Sequence, residues 1–327
     1  MKKRSVSFLL CCGIFAFISC PVLAQQCGSP MTFNSLATLW DEAIPMGNST
    51  IGSLVWQKGD NLRISIDRVD LWDLRSHDEL SADSLSFDWV YESVLAGDYA
   101  PVQRRYDYPY DNYPGPSKIP GAGIEIPLAP LGSPCSVSLD QSEGICEVVW
   151  ASGTTFRCFI HALEPFGYFV FENAPEGLEF ELVAPSYNEV DANGRAMNDQ
   201  SGSALKTLGY AQGAIEREGD NKLVYTQPCW GDFSYKVALR WKRSGDRVYG
   251  VWSASSSLVD DDASQIVDRV MEQGIAPFQA SHGRWWSDFY SKSSVTLPDK
   301  TIQEQYYKEI YKMGSISRED SYPISLQ

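Results

Sequence analysis

Alternating apolar and polar positions run through the middle of the chain and predict a series of β-strands. In the clearest case, Phe233, Val237 and Trp241 share one face of the segment 233–241. Residues 244–246 read Ser-Gly-Asp, a turn sequence, and 248–253 is the predicted return strand. Similar patterns predict strands at 62–67, 124–128, 146–151, 156–162, 166–172, 178–183 and 223–225. Strands at this spacing are typical of a large antiparallel β-sandwich.

The pattern changes to a helical period near residue 260. Apolar residues between Ile266 and Met271 lie on one helical face, and Gly274 predicts the end of that helix. A second, short helix is predicted at 284–291. In a third, 301–304 has the sequence of a capping box, and Gly314 is its predicted end. Its wide apolar stripe consists of Ile302, Tyr306, Ile310 and Met313, and we expect little of the remaining chain to cover it.

These patterns predict a mainly β protein, with a large antiparallel β-sandwich at 25–258 that is followed by helices at 259–327. The N-terminus has the features of a signal peptide. Three basic residues at 2–4 precede an apolar stretch at 5–20, and Ala24 ends a small-residue cleavage site. We therefore predict that residues 1–24 are removed on export to the periplasm or the extracellular space. The alternative is a lipoprotein attached at Cys20.

Composition and charge narrow the classes of partner. The chain is 43% hydrophobic, with 10 Trp, 17 Tyr and 14 Phe, so it can bury a sizeable core. Its net charge is −15 and no basic run follows residue 4, which argues against nucleic acid and anionic membranes as partners. No later segment is apolar enough to span a membrane. Only three histidines are present, with no C-x-x-C spacing and no EF-hand loop, so we predict no cofactor and no metal.

Five cysteines remain after the predicted cleavage: Cys27, Cys135, Cys146, Cys158 and Cys229. Export would permit disulfides. Cys135 and Cys146 flank a predicted hairpin and are the expected pair. Cys158 lies within an apolar alternation, where a buried free thiol is the expected state.

The segment 39–75 is the densest in candidate binding residues. A Pro-Met-Gly-Asn turn is followed by a strand and then by acids at 67, 70 and 73. One interpretation is the rim of a sugar site, with Asn48, Asp67 and Asp70 binding hydroxyl groups and Trp72 stacking on a pyranose face. The alternative is a solvated turn that hydrogen bonds to its own backbone. His161 is expected to be a hydrogen-bonded strand residue.

Four motifs in one order resemble the opening of glycoside hydrolase family 95 and its relatives, which include the family 65 N-terminal domain. The first is the turn at 40–52, WDEAIPMGN followed by Gly52, with a strand that ends in an acid and Leu71-Trp72. The second is the Lys-x-Pro-Gly loop at 118–121. The third is His-x-x-Trp-Trp at 282–286, and the fourth is the segment 311–327.

The resemblance implies that 25–258 is an N-terminal β-supersandwich, and that 259–327 is a short α-helical linker with the truncated start of an (α/α)6 barrel. In the family that barrel carries the catalytic groups of an inverting, α-L-fucosidase-like enzyme. The partners it implies are that barrel, within the same polypeptide in full-length relatives, and a glycan bound through it. No catalytic residue is therefore predicted here, and we expect this chain to be a fragment, inactive alone. Ser49 departs from the family, which has glycine there, so a positive φ would be strained.

Two other functions remain open at this point. One is a stand-alone carbohydrate-binding β-sandwich, in which Tyr106, Tyr108, Tyr110 and Tyr113 on a loop would offer a stacking platform. The other is a structural role without a ligand, which predicts no large exposed apolar patch.

Overall fold

The computed structural model describes residues 30–76, 86–114, 116–188, 205–319 and 321. The predicted signal peptide, the alternative lipid site at Cys20, and Cys27 lie outside the described residues. Within them the chain forms two large antiparallel sheets and one small one. The predicted mainly β fold, a large antiparallel sandwich followed by helices, is confirmed.

The sixteen described strands are, in chain order, β1 (Met31–Phe33), β2 (Ile44–Gly47), β3 (Ile51–Lys58), β4 (Asn61–Arg68), β5 (Trp72–Asp73), β6 (Ser117–Lys118), β7 (Gly123–Pro127), β8 (Pro134–Asp140), β9 (Ile145–Trp150), β10 (Thr155–Ile160), β11 (Phe166–Glu172), β12 (Glu181–Val183), β13 (Ala214–Arg217), β14 (Lys222–Pro228), β15 (Ser234–Ser244) and β16 (Arg247–Ser256). The nine-stranded sheet has the order β1-β8-β9-β10-β11-β16-β15-β14-β13. The five-stranded sheet has the order β12-β7-β4-β3-β2, and β5 pairs with β6.

The main core lies between the two large sheets. Alternate residues of β15, among them Val237 and Leu239, point into it and are fully buried. The predicted turn at 244–246 makes β15 and β16 a hairpin in which Ser244 pairs with Arg247. The other face of the nine-stranded sheet is also covered, by a second apolar cluster that includes Val267 and Phe278. Burial on both faces explains why β16 is almost continuously apolar or small.

Five α-helices are described: α1 (Phe87–Leu95), α2 (Ala100–Asn112), α3 (Ala263–Gln273), α4 (Ala276–Ser291) and α5 (Lys300–Ile316). α3 begins at Asp262, whose carboxylate accepts the backbone N–H groups of Ser264 and Gln265, and it ends at Gly274 with φ +76°, as predicted. None of the described helices is long and apolar enough to cross a membrane.

Helix α5 differs from its predicted form at both ends and on its buried face. Its N-cap is Asp299, not the predicted Thr301. Gly314 lies inside the helix, where an added Cβ would come within 2.9 Å of Trp286 and Phe289. The glycine therefore permits close helix packing and is not a stop signal. The buried face is formed by Tyr307 and Tyr311, because their hydroxyl groups reach backbone carbonyls.

Helices α1 and α2 were not predicted. The segment around Tyr106 was expected to be a loop, but it belongs to α2, and the side chains of Tyr108 and Tyr110 lie outside the described residues. Ser86 caps α1 by accepting the N–H of Trp89. No residue of α1 is buried, and the exposed fraction of Phe87 is 78%.

The predicted Cys135–Cys146 disulfide is wrong. Cys146 of β9 pairs with Leu139 of β8, four residues along the strand from Cys135. At a rise of about 3.3 Å per residue, that offset is well beyond the Cα–Cα distance that a disulfide spans. Cys135 is exposed and Cys146 is buried, and both are free thiols.

Candidate functional site

The four predicted rim residues come to one end of the sandwich. Ile51 at the start of β3 pairs with Arg68 at the end of β4. Beyond this pair, the N–H of Val69 donates to the carbonyl of Thr50 at 3.0 Å. The turn that contains Asn48 therefore lies beside the segment with the acids and Trp72. Proximity alone does not make these residues available to a ligand. Their hydrogen bonds and exposure separate two buried structural residues, Asn48 and Asp70, from two residues that reach solvent, Asp67 and Trp72.

Asn48 is a structural residue. Its Oδ1 accepts the N–H groups of Thr50 and Ile51 at 3.1 and 2.9 Å. Its Nδ2 donates to the carbonyls of His161 and Glu164, both at 2.9 Å. The side chain is buried, and both amide atoms are engaged within the chain. Asn48 therefore fastens the β2–β3 turn to the β10–β11 turn, and the rim interpretation is not supported for it.

Asp70 is structural for a similar reason. Its Oδ1 accepts Arg68 Nε at 2.8 Å, and its Oδ2 accepts the hydroxyl of Ser256 at 2.7 Å. Arg68 also donates to the carbonyl of Ala254 at 3.0 Å. This buried pair ties the end of β4 in one sheet to the end of β16 in the other. Removing one partner would leave a buried charge uncompensated.

Of the two acidic rim candidates, Asp67 is the one whose carboxylate reaches solvent. Its side chain is 51% exposed and accepts Lys118 Nζ at 2.6 Å. The same ammonium group donates to the carbonyls of Arg68 and Ile119, so its three donors are satisfied. The Lys-x-Pro-Gly loop is thereby fixed at this end. Glycine is required at position 121 of this loop for steric reasons, because a Cβ there would lie 2.2 Å from the carbonyl oxygen of Ile66.

Two partly exposed tryptophans lie beside each other at this end of the sandwich. Trp72 Nε1 donates to the carbonyl of Val69 at 3.1 Å. Trp230 Nε1 donates to the carbonyl of Trp72 at 3.4 Å. We call Asp67, Trp72 and Trp230 the rim cluster. Sequence reasoning missed Trp230, although its Cys-Trp-Gly-Asp turn between β14 and β15 was a visible signal.

Behind the rim cluster, Asp73 is fully buried in a polar network. It pairs with Arg75 at 2.5 Å and accepts the hydroxyl of Tyr210 at 2.7 Å. Burial alone would raise the pKa of Asp73, but these hydrogen bonds outweigh it and the pKa lies below its ordinary value. Burial and the neighbouring carboxylate raise the pKa of Tyr210. The network is saturated, so it supports the rim and offers no general base.

A second polar cluster joins the sandwich to α4. His161 Nδ1 accepts the N–H of Glu164 at 3.0 Å, which leaves Nε2 to donate to Ser281 Oγ at 2.9 Å. His282 Nδ1 accepts the N–H of Ala162 at 3.2 Å, and its Nε2 donates to the carbonyl of Glu143 at 2.6 Å. Burial lowers the pKa of both rings, that of His282 to about 3. Both are neutral structural residues.

A cleft of about 550 Å³ lies between the nine-stranded sheet and the α3–α4 turn. Tyr168, Arg247, Tyr249 and Gln279 line it. Arg247 pairs with Glu172 at 3.1 Å and lies 5.6 Å above the ring centroid of Tyr249. Both partners of this arginine belong to the chain itself, although its buried Nε makes no hydrogen bond among the described residues. Among the described residues, no three His, Cys, Asp or Glu side chains converge as a metal site.

A scan against models of protein families finds no match to this chain, and a search of curated proteins finds none either.

Proposed function

We propose that this chain is the non-catalytic N-terminal region of an exported glycoside hydrolase similar to family 95. In this proposal the sandwich and its helices pack against an (α/α)6 barrel, and the barrel hydrolyses glycan side chains in an inverting, α-L-fucosidase-like reaction. The chain contributes a rigid support and a contact face, and it is inactive alone.

The observation that carries the proposal is that the residues of the resemblance meet in space. The N–H of Ser49 donates to the carbonyl of Ser315 at 2.8 Å. The ring of Trp286 stacks on that of Tyr311 at 5.4 Å between centroids, and the hydroxyl of Tyr311 donates to Pro45 at 2.8 Å. Three motifs far apart in sequence therefore form one joint between the sandwich and the helices.

Exposed apolar side chains beside this joint also support the proposal. On α5, Ile302 is 58% exposed and Met313 is 49% exposed. Ile316, at the end of the same helix, is exposed as well. Apolar residues gathered on one helix are typical of a surface that packs against another module.

Enzyme assays test the catalytic part of the proposal. The purified, folded chain is expected to show no turnover of aryl α-L-fucosides or related aryl glycosides. Turnover that disappears in Asp67→Asn would contradict the proposal, because Asp67 is the exposed carboxylate of the rim cluster.

The contact face is tested by binding of an environment-sensitive apolar dye and by association at rising concentration. Met313→Asp is expected to reduce both signals. Thr301→Asp is the matched control, because it adds the same charge to exposed α5 surface without removing a large apolar side chain. Equal effects of the two variants would show that charge, and not the apolar face, is responsible.

The second candidate function is carbohydrate binding by the sandwich itself. The rim cluster favours it, because two indole rings and a carboxylate are the groups that bind the apolar face and the hydroxyl groups of a sugar. The tyrosine platform expected near Tyr106 no longer carries this function, since that segment is part of α2.

A glycan array followed by calorimetry tests the second function. Binding that is lost in Trp230→Ala and kept in Trp40→Ala would favour it, because Trp40 is half exposed in a different segment. No binding of any glycan at high micromolar concentration would remove it.

A further inference from the structure

Two cysteines face each other in the nine-stranded sheet. Cys146 of β9 and Cys158 of β10 are directly opposite in the antiparallel register. Both side chains point into the main core, with exposed fractions of 0% and 1%. Both belong to the apolar cluster between the two large sheets. This arrangement differs from that of Cys135, which is exposed on the neighbouring strand.

The geometry of the pair fits a disulfide. Directly opposed residues in an antiparallel ladder have Cα atoms about 4.5 or 5.5 Å apart, and both distances fall within the range of about 4.4–6.8 Å seen in disulfides. Their Cβ atoms lie on the same face, about 4.5–5.5 Å apart, so bond formation needs a shift of about an ångström or less. We propose that Cys146 and Cys158 form a disulfide across β9 and β10 when the chain folds under oxidising conditions.

The reaction needs an external disulfide as oxidant, of the type supplied by oxidised glutathione. One protein thiolate attacks that disulfide, forms a mixed disulfide and releases one glutathione thiol. The second protein thiolate attacks the mixed disulfide, the Sγ–Sγ bond forms and the second glutathione thiol leaves. Two electrons and two protons pass from the protein to the oxidant.

The exchange must take place before the core has closed around Cys158. Burial raises the pKa of the Cys158 thiol, so few thiolates exist once the core has closed. Oxidation therefore precedes or accompanies closure of the sheet. The finished bond lies beside Met46, at 4.0 Å from Cys158 Sγ, where neither oxidant nor reductant reaches it.

The bond would strengthen the sheet where α5 docks. Tyr311 of α5 is fully buried close to both thiols, and its hydroxyl donates to Pro45 in β2. A covalent link beneath this contact would hold β9 and β10 in register. The inference does not depend on the proposed function.

Peptide mapping tests the proposal. The reduced, denatured full chain is refolded in a mixture of reduced and oxidised glutathione, denatured again, alkylated and digested. Trypsin cleaves after Arg157, between the two cysteines, and cleavage after Glu143 separates Cys146 from Cys135. The expected product is a linked pair of peptides that contain Cys146 and Cys158. Complete alkylation of both, or a link from Cys158 to any other cysteine, overturns the proposal.

Stability provides a second measurement that needs no core variant. The oxidised wild-type chain is expected to melt about 5–10 °C above the reduced chain. Reductant added to the native protein should leave the bond intact until the chain unfolds. Cys135→Ala is the control and should keep the full difference, whereas equal melting temperatures of oxidised and reduced wild type overturn the proposal.

Discussion

The joint between the sandwich and helices α4 and α5 can be compared with the helical hairpin formed by α1 and α2. Both are rich in aromatic residues. In the joint, Trp286, Tyr290 and Tyr311 are almost completely buried and stack on one another. In the hairpin, Phe87 and Tyr91 also stack, at 5.9 Å between centroids, but both rings face solvent.

The difference shows that aromatic content alone does not bury a helix. Two polar contacts with the sandwich help to hold the helices of the joint: His282 accepts the N–H of Ala162, and the hydroxyl of Tyr311 donates to the carbonyl of Pro45. No residue of α1 is fully buried, so its apolar side chains contribute little to folding. We interpret the joint as part of the core and the hairpin as a contact surface.

A tryptophan-to-alanine substitution in each region should give the largest difference in stability between the joint and the hairpin. Trp286→Ala is expected to reduce the free energy of unfolding by about 3–5 kcal/mol, because it empties a filled core site. Trp89→Ala in α1 should cost under about 1 kcal/mol, since that side chain is only partly buried. Urea unfolding measures both. Similar losses would show that the hairpin is as firmly packed as the joint.

Acid should weaken the joint before it affects the carboxylates. The unfolded His282 takes up a proton near pH 6.5, whereas burial keeps the folded ring neutral down to about pH 3. The unfolded state therefore binds more protons in this window, and stability falls as pH falls through it. Between pH 7.5 and 5.5 we expect a loss of about 1.4 kcal/mol from His282 and a smaller one from His161.

The variant His282→Gln isolates this contribution. Glutamine can still accept from Ala162 and donate to Glu143, but it does not titrate. The variant is needed because burial raises the pKa of Glu143, which acts in the opposite direction. The free energy of unfolding, measured at several pH values, should depend less steeply on pH in the variant. An unchanged pH dependence would contradict the assignment to His282.

The strands and the sandwich were predictable because the period of two is a local signal. The helices of the hairpin were not, since the Pro- and Tyr-rich sequence around Tyr106 is typical of a loop. In the structure Pro101 lies in the first turn of α2, where a missing N–H costs nothing.

The rim residues show why a site is harder to predict than a fold. Asn48 and Asp70 look like ligand-binding residues in the sequence. Each has a local partner, Ile51 for Asn48 and Arg68 for Asp70, and each also has a partner more than 100 positions away, at His161 and Ser256. No local pattern reveals the long-range hydrogen bonds. Trp72 is partly exposed and is held by a local hydrogen bond from its Nε1 to the carbonyl of Val69, and its role in sugar binding stays a prediction.

A smaller change in the free energy of unfolding is expected at Ser49, in the turn that contacts α5. Ser49 has a φ of +71°, a conformation that costs a serine about 1 kcal/mol, and its hydroxyl is buried without a hydrogen-bond partner among the described residues. Ser49→Gly should raise the free energy of unfolding by about 0.5–1 kcal/mol, because relief of strain exceeds the added entropy of the unfolded chain. Ser49→Ala keeps the Cβ and should gain less, so equal gains would assign the cost to the hydroxyl.

The smallest change in stability is expected for a substitution on the hairpin. The same substitution should clearly change the binding of an apolar dye to the surface. Phe87→Glu removes a side chain that contacts little besides Tyr91, so the free energy of unfolding should move by less than about 0.5 kcal/mol. Binding of an apolar dye should nevertheless fall. Gln103→Glu, on the exposed surface of α2, is the control, because it adds the same charge and leaves the apolar face of α1 intact. A large loss of stability in Phe87→Glu would show that α1 is part of the core, and the contrast with the joint would no longer hold.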